Sequence, residues 1–320
     1  MAIYNKSGSQ IDSAYSLSGT LNNAYDLSGD IVWVARSHAV SNNFTSDLLF
    51  EISTLPDGTQ GIACDSLSQK IAQFFNGRIV MIDSTDGSHT EVGRYDIGHG
   101  STGQFKPEKE NVTDAYPLLY ISTQSTVTIN NISYSIFLEV NVDESSSVIN
   151  RSFYVPLSTD TGYTLFAFDF PNGIVYSVWF SGYYDTTGTG KISAYRLSDF
   201  TVFADGSSTP IPVNGYWVAG NPIEEYDIDF IPEVQAITFF DGMVCCLCDY
   251  PHTNGGSVVF LDVENHDVYL TLDISHYVYF EREGITFILN PTTNKYDMIL
   301  SMRQYESGVQ VKKYYRFQFS

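Results

Sequence analysis

The stretch 234–273 constrains this chain more than any other. Val234–Phe240, Met243–Asp249, residues 257–262 and residues 268–273 are rich in β-branched and aromatic side chains, with short polar segments between them. The first break is Asp241-Gly242, a pair suited to a two-residue hairpin because both positions need positive φ. The stretch therefore reads as one antiparallel meander of four strands. A lone meander cannot bury both faces, so it must stack on units like itself.

Such units are present. Gln235-Ala236-Ile237-Thr238-Phe239 is echoed 48 residues later by Glu283-Gly284-Ile285-Thr286-Phe287, and Gln60-Gly61-Ile62-Ala63 opens an earlier unit. Four strands per repeat of about 40 to 50 residues is the signature of a β-propeller blade. Openings near residues 60, 117, 164, 235 and 283 give an all-β, five-bladed propeller. Six blades is the alternative if residues 205–232 hide another meander.

The first blade runs over residues 60–97, with Asn76-Gly77 as a hairpin turn. Residues 98–114 read as a polar loop leading to a second blade at 117–123, 133–142 and 148–157. The third contains residues 163–170, 174–180 and 191–197, with 200–204 as its outer strand. The last blade shows three strands, at 284–290, 297–303 and Val309–Phe319. A propeller supplies such a missing strand from the N-terminal region, which pairs an otherwise open edge. Residues 46–53 are the expected donor, paired with 309–319.

Residues 1–32 have a shorter period. Tyr4-Asn5-Lys6-Ser7-Gly8, Tyr15-Ser16-Leu17-Ser18-Gly19 and Tyr25-Asp26-Leu27-Ser28-Gly29 suggest short strands joined at Ser-Gly turns. Pieces this small bury too little area to fold alone. Residues 1–32 are thus expected to attach to other proteins or to themselves, and residues 33–320 to form the propeller.

This tandem Tyr-x-x-Ser-Gly leader resembles the N-terminal repeats of bacteriophage and prophage virion proteins. Tyr116-Pro117-Leu118-Leu119-Tyr120-Ile121-Ser122 and Glu281-Arg282-Glu283-Gly284-Ile285 are similar to segments in propellers of gut bacteria and their phages. The resemblance implies a tail, baseplate or fibre component located in the virion. It carries over no catalytic residue.

A net charge of −21 argues against a nucleic-acid partner, because binding a phosphate backbone rests on clustered Lys and Arg. The 23 Tyr suit a carbohydrate, which is held by aromatic faces and hydrogen bonds, so a cell-surface polysaccharide is a candidate partner. The N-terminus reads as lacking a secretory signal, and no apolar run is long enough to insert in a membrane as a helix. Cys245, Cys246 and Cys248 alternate along one strand, so they read as buried thiols and not as a metal site.

Several residues are candidates for chemistry. Gln60, Gln235 and Glu283 open their blades and are expected to line the channel. Asp65, Asp169 and Glu283 are the carboxylates that a glycosidase-like propeller could use as acid and base. Trp217, Tyr216, Tyr183 and Tyr184 are the expected ligand-binding aromatics, while mid-strand Trp179 is expected to pack between blades. Asp83-Ser84-Thr85-Asp86-Gly87 and Asp160-Thr161-Gly162 offer oxygens that Ca²⁺ could use, although neither is a full calcium loop. No serine-hydrolase elbow, zinc helix or phosphate loop is present. The expectation is a binding module, with a glycoside hydrolase-like or lectin-like propeller as the alternative and no cofactor required.

Overall fold

The computed structural model describes residues 3–4, 10–11, 24–25, 31–34, 40–55, 58–75, 77–94, 100–157, 163–180, 190–202, 216–228, 234–249, 256–275 and 281–319. The chain divides into two units, Met1–Val40 and Ser41–Ser320. In the first, β1 (Ile3–Tyr4), β2 (Gln10–Ile11), β3 (Ala24–Tyr25) and β4 (Ile31–Val34) form a small antiparallel sheet in the order β2-β1-β4-β3. The Ser-Gly segments of the repeat lie outside the described residues.

The second unit is a five-bladed β-propeller. It starts with β5 (Phe44–Ile52). The first blade is β6 (Thr59–Asp65), β7 (Lys70–Phe75), β8 (Arg78–Asp83) and β9 (His89–Arg94). The second is β10 (Gly100–Phe105), β11 (Leu119–Ile129), β12 (Ile132–Val142) and β13 (Ser147–Pro156).

The third blade starts with β14 (Tyr163–Asp169), β15 (Ile174–Phe180) and β16 (Gly190–Arg196). Then β17 (Thr201–Val202) and β18 (Tyr216–Val218) return to the second blade and add two strands beyond β13. The chain comes back to pair β19 (Glu224–Ile228) with β16 as the third blade's outer strand. The fourth blade is β20 (Val234–Phe240), β21 (Met243–Asp249), β22 (Gly256–Asp262) and β23 (Asp267–Asp273). The fifth is β24 (Glu281–Asn290), β25 (Lys295–Glu306) and β26 (Val309–Phe319), closed by β5.

The closure matches the expected pairing. β5 lies antiparallel to β26, from Phe44 opposite Phe319 to Ile52 opposite Lys312. The described part of residues 205–232 holds no sixth blade, because it is shared between the second and third.

Two boundaries differ from the sequence reading, each for a physical reason. Gly100–Phe105 is the innermost strand of the second blade, not part of a polar loop. It looks like a loop because it carries little apolar surface. β10 lies at the axis and touches β6, β14, β20 and β24, which leaves little room for a side chain at Gly100 and Gly103. A Cβ on Gly103 would sit 2.6 Å from Phe74 Cζ and 2.9 Å from the Tyr120 carbonyl oxygen. The second difference is the third blade's outer strand. Phe200 is buried among the aromatics between the second and third blades, so Thr201–Val202 pairs with β18.

Side-chain alternation fills the spaces between blades. Leu119, Ile121 and Tyr154 face the first blade, whereas Tyr120, Phe137 and Phe153 face the third. Phe240 stacks on Phe287 at 4.0 Å between the fourth and fifth.

Polar side chains complete the fifth blade. Glu283 and Lys312 are almost fully buried and paired, with Arg303 Nε 3.3 Å from Glu283 Oε1. Burial lowers the Lys312 pKa, and the Glu283 carboxylate opposes that shift. Lys312→Met strands a buried carboxylate and is expected to cost about 3 kcal/mol in a urea titration. Adding Glu283→Gln should recover most of the loss. An unchanged midpoint for the single variant would contradict the pairing.

Candidate functional site

Four of the inner strands share a local distortion. The ladders of β6, β10, β20 and β24 each shift register near the start, between Thr59 and Ile62, Gly100 and Thr102, Val234 and Ala236, and Arg282 and Gly284. An extra residue at a bulge leaves the ladder and is re-aimed. Gln60, Gln235 and Glu283 all fall here, which is why their motifs look alike. Their partners nevertheless differ. The Gln60 carbonyl accepts from Gln73 Nε2, Gln235 is buried, and Glu283 turns into its own blade toward Lys312.

The three acid/base candidates are likewise committed separately. Asp65 ends β6, where its oxygens accept from the Leu67 N–H at 3.0 Å and the Ser68 N–H at 3.2 Å. Asp169 ends β14 and accepts from Asn172 Nδ2 at 2.7 Å and the Asn172 N–H at 3.3 Å. Both fasten the turn that follows the inner strand. Glu283 lies near the start of β24, at the other end of an inner strand.

Among the aromatics, Tyr216 and Trp217 are neighbours on β18 and take opposite faces. Tyr216 packs on Tyr154 at 5.3 Å, while Trp217 packs on Phe153 at 6.3 Å. Trp179 is partly exposed on β15. Tyr183 and Tyr184 lie outside the described residues.

A cavity lies between the second and third blades, near the β14–β15 turn. Its volume is about 570 Å³, within the range of small-molecule sites. The partly exposed Phe170 gives it aromatic surface, with the buried rings of Tyr120 and Phe153 beneath, Arg151 gives it a charged head, and the 106–110 segment forms one side.

β-pairing builds its polar part. Tyr120 is opposite Glu139 on β11 and β12, and Glu139 is opposite Arg151 on β12 and β13, so the three form one row on one face. Arg151 donates through Nε to Glu139 Oε1 at 2.8 Å and through an Nη to Oε2 at 2.6 Å. The Tyr120 hydroxyl donates to the same carboxylate. A register shift beside the row, between Glu139 and Val140, places Arg151 against its partner.

The guanidinium also lies 5.6 Å from the Phe153 ring and 5.5 Å from the Trp217 ring. Glu139 is 2% exposed and Arg151 38%, so one edge of the arginine remains toward solvent. Its bond to Glu139 raises the Arg151 pKa, and burial raises that of Tyr120, so both keep their protons. The arrangement provides fixed hydrogen-bond donors beside apolar ring surface. Sequence reasoning passed over Glu139 and Arg151. The available signal was a single carboxylate inside the apolar run Ile136-Phe137-Leu138-Glu139-Val140.

A second cavity of about 180 Å³ lies between the third and fourth blades, where His266 stacks on Tyr226 at 4.0 Å. It is too small for a sugar-sized ligand. The 83–87 turn spends its oxygens internally. Asp83 Oδ1 accepts from the Thr85 N–H at 2.9 Å and Oδ2 from Lys70 Nζ at 2.8 Å, while Asp86 Oδ1 accepts from the Ser88 N–H. No group of three His, Cys, Asp or Glu able to hold a metal occurs among the described residues. Asp160, in the other loop considered for Ca²⁺, lies outside them.

No protein-family description matches this chain, and no curated protein matches its sequence. Among solved structures, the soluble aldose sugar dehydrogenase of Escherichia coli has a TM-score of 0.48 at 10% identity, over 86% of this chain and 99% of that one. The tail fibre of Staphylococcus aureus phage P68 has a TM-score of 0.47 at 13% identity, over 87% of this chain. The match takes in 53% of the fibre, so this chain spans about half its length. A putative glucose dehydrogenase of Thermus thermophilus has a TM-score of 0.46 at 11% identity, over 86% of this chain and 100% of that one. The fold and cavity define a five-bladed propeller with a pocket between its second and third blades.

The Lys70–Asp83 bond is open to a pH test. The hydrogen bond from Lys70, helped by two from Thr85, lowers the Asp83 pKa from near 3.8 to about 2. A depressed carboxylate pKa adds stability that is present above the ordinary value and lost as pH falls through the folded one. Lys70→Met should therefore be less stable than wild type at neutral pH. The gap should narrow between about pH 4 and pH 2 in thermal melts. A gap that does not change with pH would contradict the bond.

Proposed function

We propose that this protein is a component of a phage or prophage tail or fibre, and that its propeller binds a glycan of the host surface through the pocket between blades two and three. The observation that carries the binding reading is the joining of the partly exposed Phe170 ring with the fixed edge of Arg151 in one cavity. A sugar has apolar C–H faces that settle on aromatic rings, and hydroxyls that need aimed donors.

A binding role is favoured over hydrolysis by how the carboxylates are used. A glycosidase needs two carboxyl groups facing across one cleft. Asp65 and Asp169 hold turns, and Glu283 is paired with Lys312. The virion assignment draws on the Tyr-x-x-Ser-Gly leader, whose resemblance is to phage proteins.

Two measurements test the two halves. The purified protein should be retained on immobilised surface polysaccharide from the host, and Phe170→Ala should weaken retention about tenfold, as loss of an aromatic anchor does. Retention that is unaffected would exclude this pocket. Immunogold labelling of induced particles should mark a discrete place on the tail or fibre. Unlabelled particles, beside a structural protein that does label, would exclude the virion assignment.

A further inference from the structure

The charges around the pocket are balanced. Lys106, Lys109 and Arg151 stand against Glu108 and Glu110 on its walls and Glu139 behind the arginine. Lys106 Nζ lies 2.5 Å from Glu110 Oε1. Lys109 and Glu108 are adjacent in the chain. Three cations thus meet three carboxylates in a protein whose net charge is −21.

Arg151 offers donors of a particular kind. A guanidinium carries five N–H bonds. Two are spent on Glu139. The other three find no acceptor among the described residues. Because Glu139 neutralises the head from behind, the outward edge presents a flat set of donors without net charge. The rings of Phe153 and Trp217 hold the plane in place.

Resting on the glycan reading above, we infer that the pocket selects an uncharged sugar. Hydroxyl or acetamido carbonyl oxygens accept from the free edge of Arg151, and the sugar ring lies against Phe170. Such oxygens satisfy donors that would otherwise be stranded when the ligand expels water. An anionic sugar finds no excess cation here and must approach through the field of an acidic protein.

The test measures binding of the full chain to two sets of soluble polymers. One is neutral, made of dextran, galactomannan and N-acetylglucosamine oligomers. The other is acidic, made of polygalacturonate and alginate. The wild type is expected to bind within the neutral set only. Its affinity should change less than about threefold between low and high salt, since no net charge is neutralised.

Arg151→Lys should lose about tenfold, because an ammonium cannot keep the two-point bond to Glu139 and present a flat edge as well. Glu139→Gln, which leaves the arginine uncompensated, should weaken neutral binding and create salt-sensitive binding to the acidic set. Wild-type binding to the acidic set alone, falling steeply with salt, would overturn the inference and leave the glycan reading standing. Binding to neither set would overturn the inference, and retention on the host polysaccharide then decides the glycan reading separately. The wild-type comparison decides the inference even if a variant fails to fold.

Discussion

The structure depends on how the inner edge of each blade satisfies its backbone. An inner strand has a sheet neighbour on one side only, so half of its N–H and C=O groups face the axis or the next blade, away from water. Buried groups of this kind must find partners. Side chains from neighbouring blades supply them here. Gln104 donates to the Phe168 carbonyl at 2.7 Å and accepts from the N–H groups of Phe168 and Phe239, which ties three blades together. Thr102 donates to the Ile237 carbonyl. Thr286 accepts from the Cys64 N–H, and Ser122 from the Phe166 N–H. The centre is thus held by polar side chains, and the apolar clusters lie between blades.

The pocket follows from the same alternation. On the blade-three side of the second blade, apolar rings run as far as Phe137 and Phe153, and then the row Tyr120, Glu139, Arg151 takes their place. Replacing rings with an ion pair leaves space at one end of an otherwise filled interface. The cost of burying Glu139 is met by two arginine bonds and one from tyrosine. β18 lengthens this wall by pairing in parallel with β13, which brings Trp217 opposite Phe153 and under the arginine. The two added strands belong to the pocket as much as to the sheet.

Much of this was legible in the chain. The Asp241-Gly242 hairpin, the repeated Gln/Glu, small residue, Ile pattern and the missing outer strand after Phe319 were enough for the five blades and for the β5–β26 closure. β10 was hidden because an axial strand is written in Gly, Ser, Thr and Gln, the same letters as a loop. β19 was hidden because Glu224-Glu225-Tyr226-Asp227 has the polarity of an exposed outer strand and follows a long excursion. The pocket was harder still. Tyr120, Glu139 and Arg151 are 19 and 12 residues apart, and only strand register brings them into one row. Aromatic abundance pointed to Tyr216 and Trp217 together, but adjacent strand residues face opposite ways, so only Trp217 reaches the arginine.

The most direct measurement of the central claim is hydrogen exchange on the protein with and without a saturating host-surface glycan. The account predicts that protection will rise in the 106–110 segment, at Phe170 to Gly173 and at Leu197 and Ser198, which surround the pocket. Protection confined instead to the hairpin tips near Asn130 and Ser307, at the other end of the strands, would place the ligand elsewhere and contradict the account.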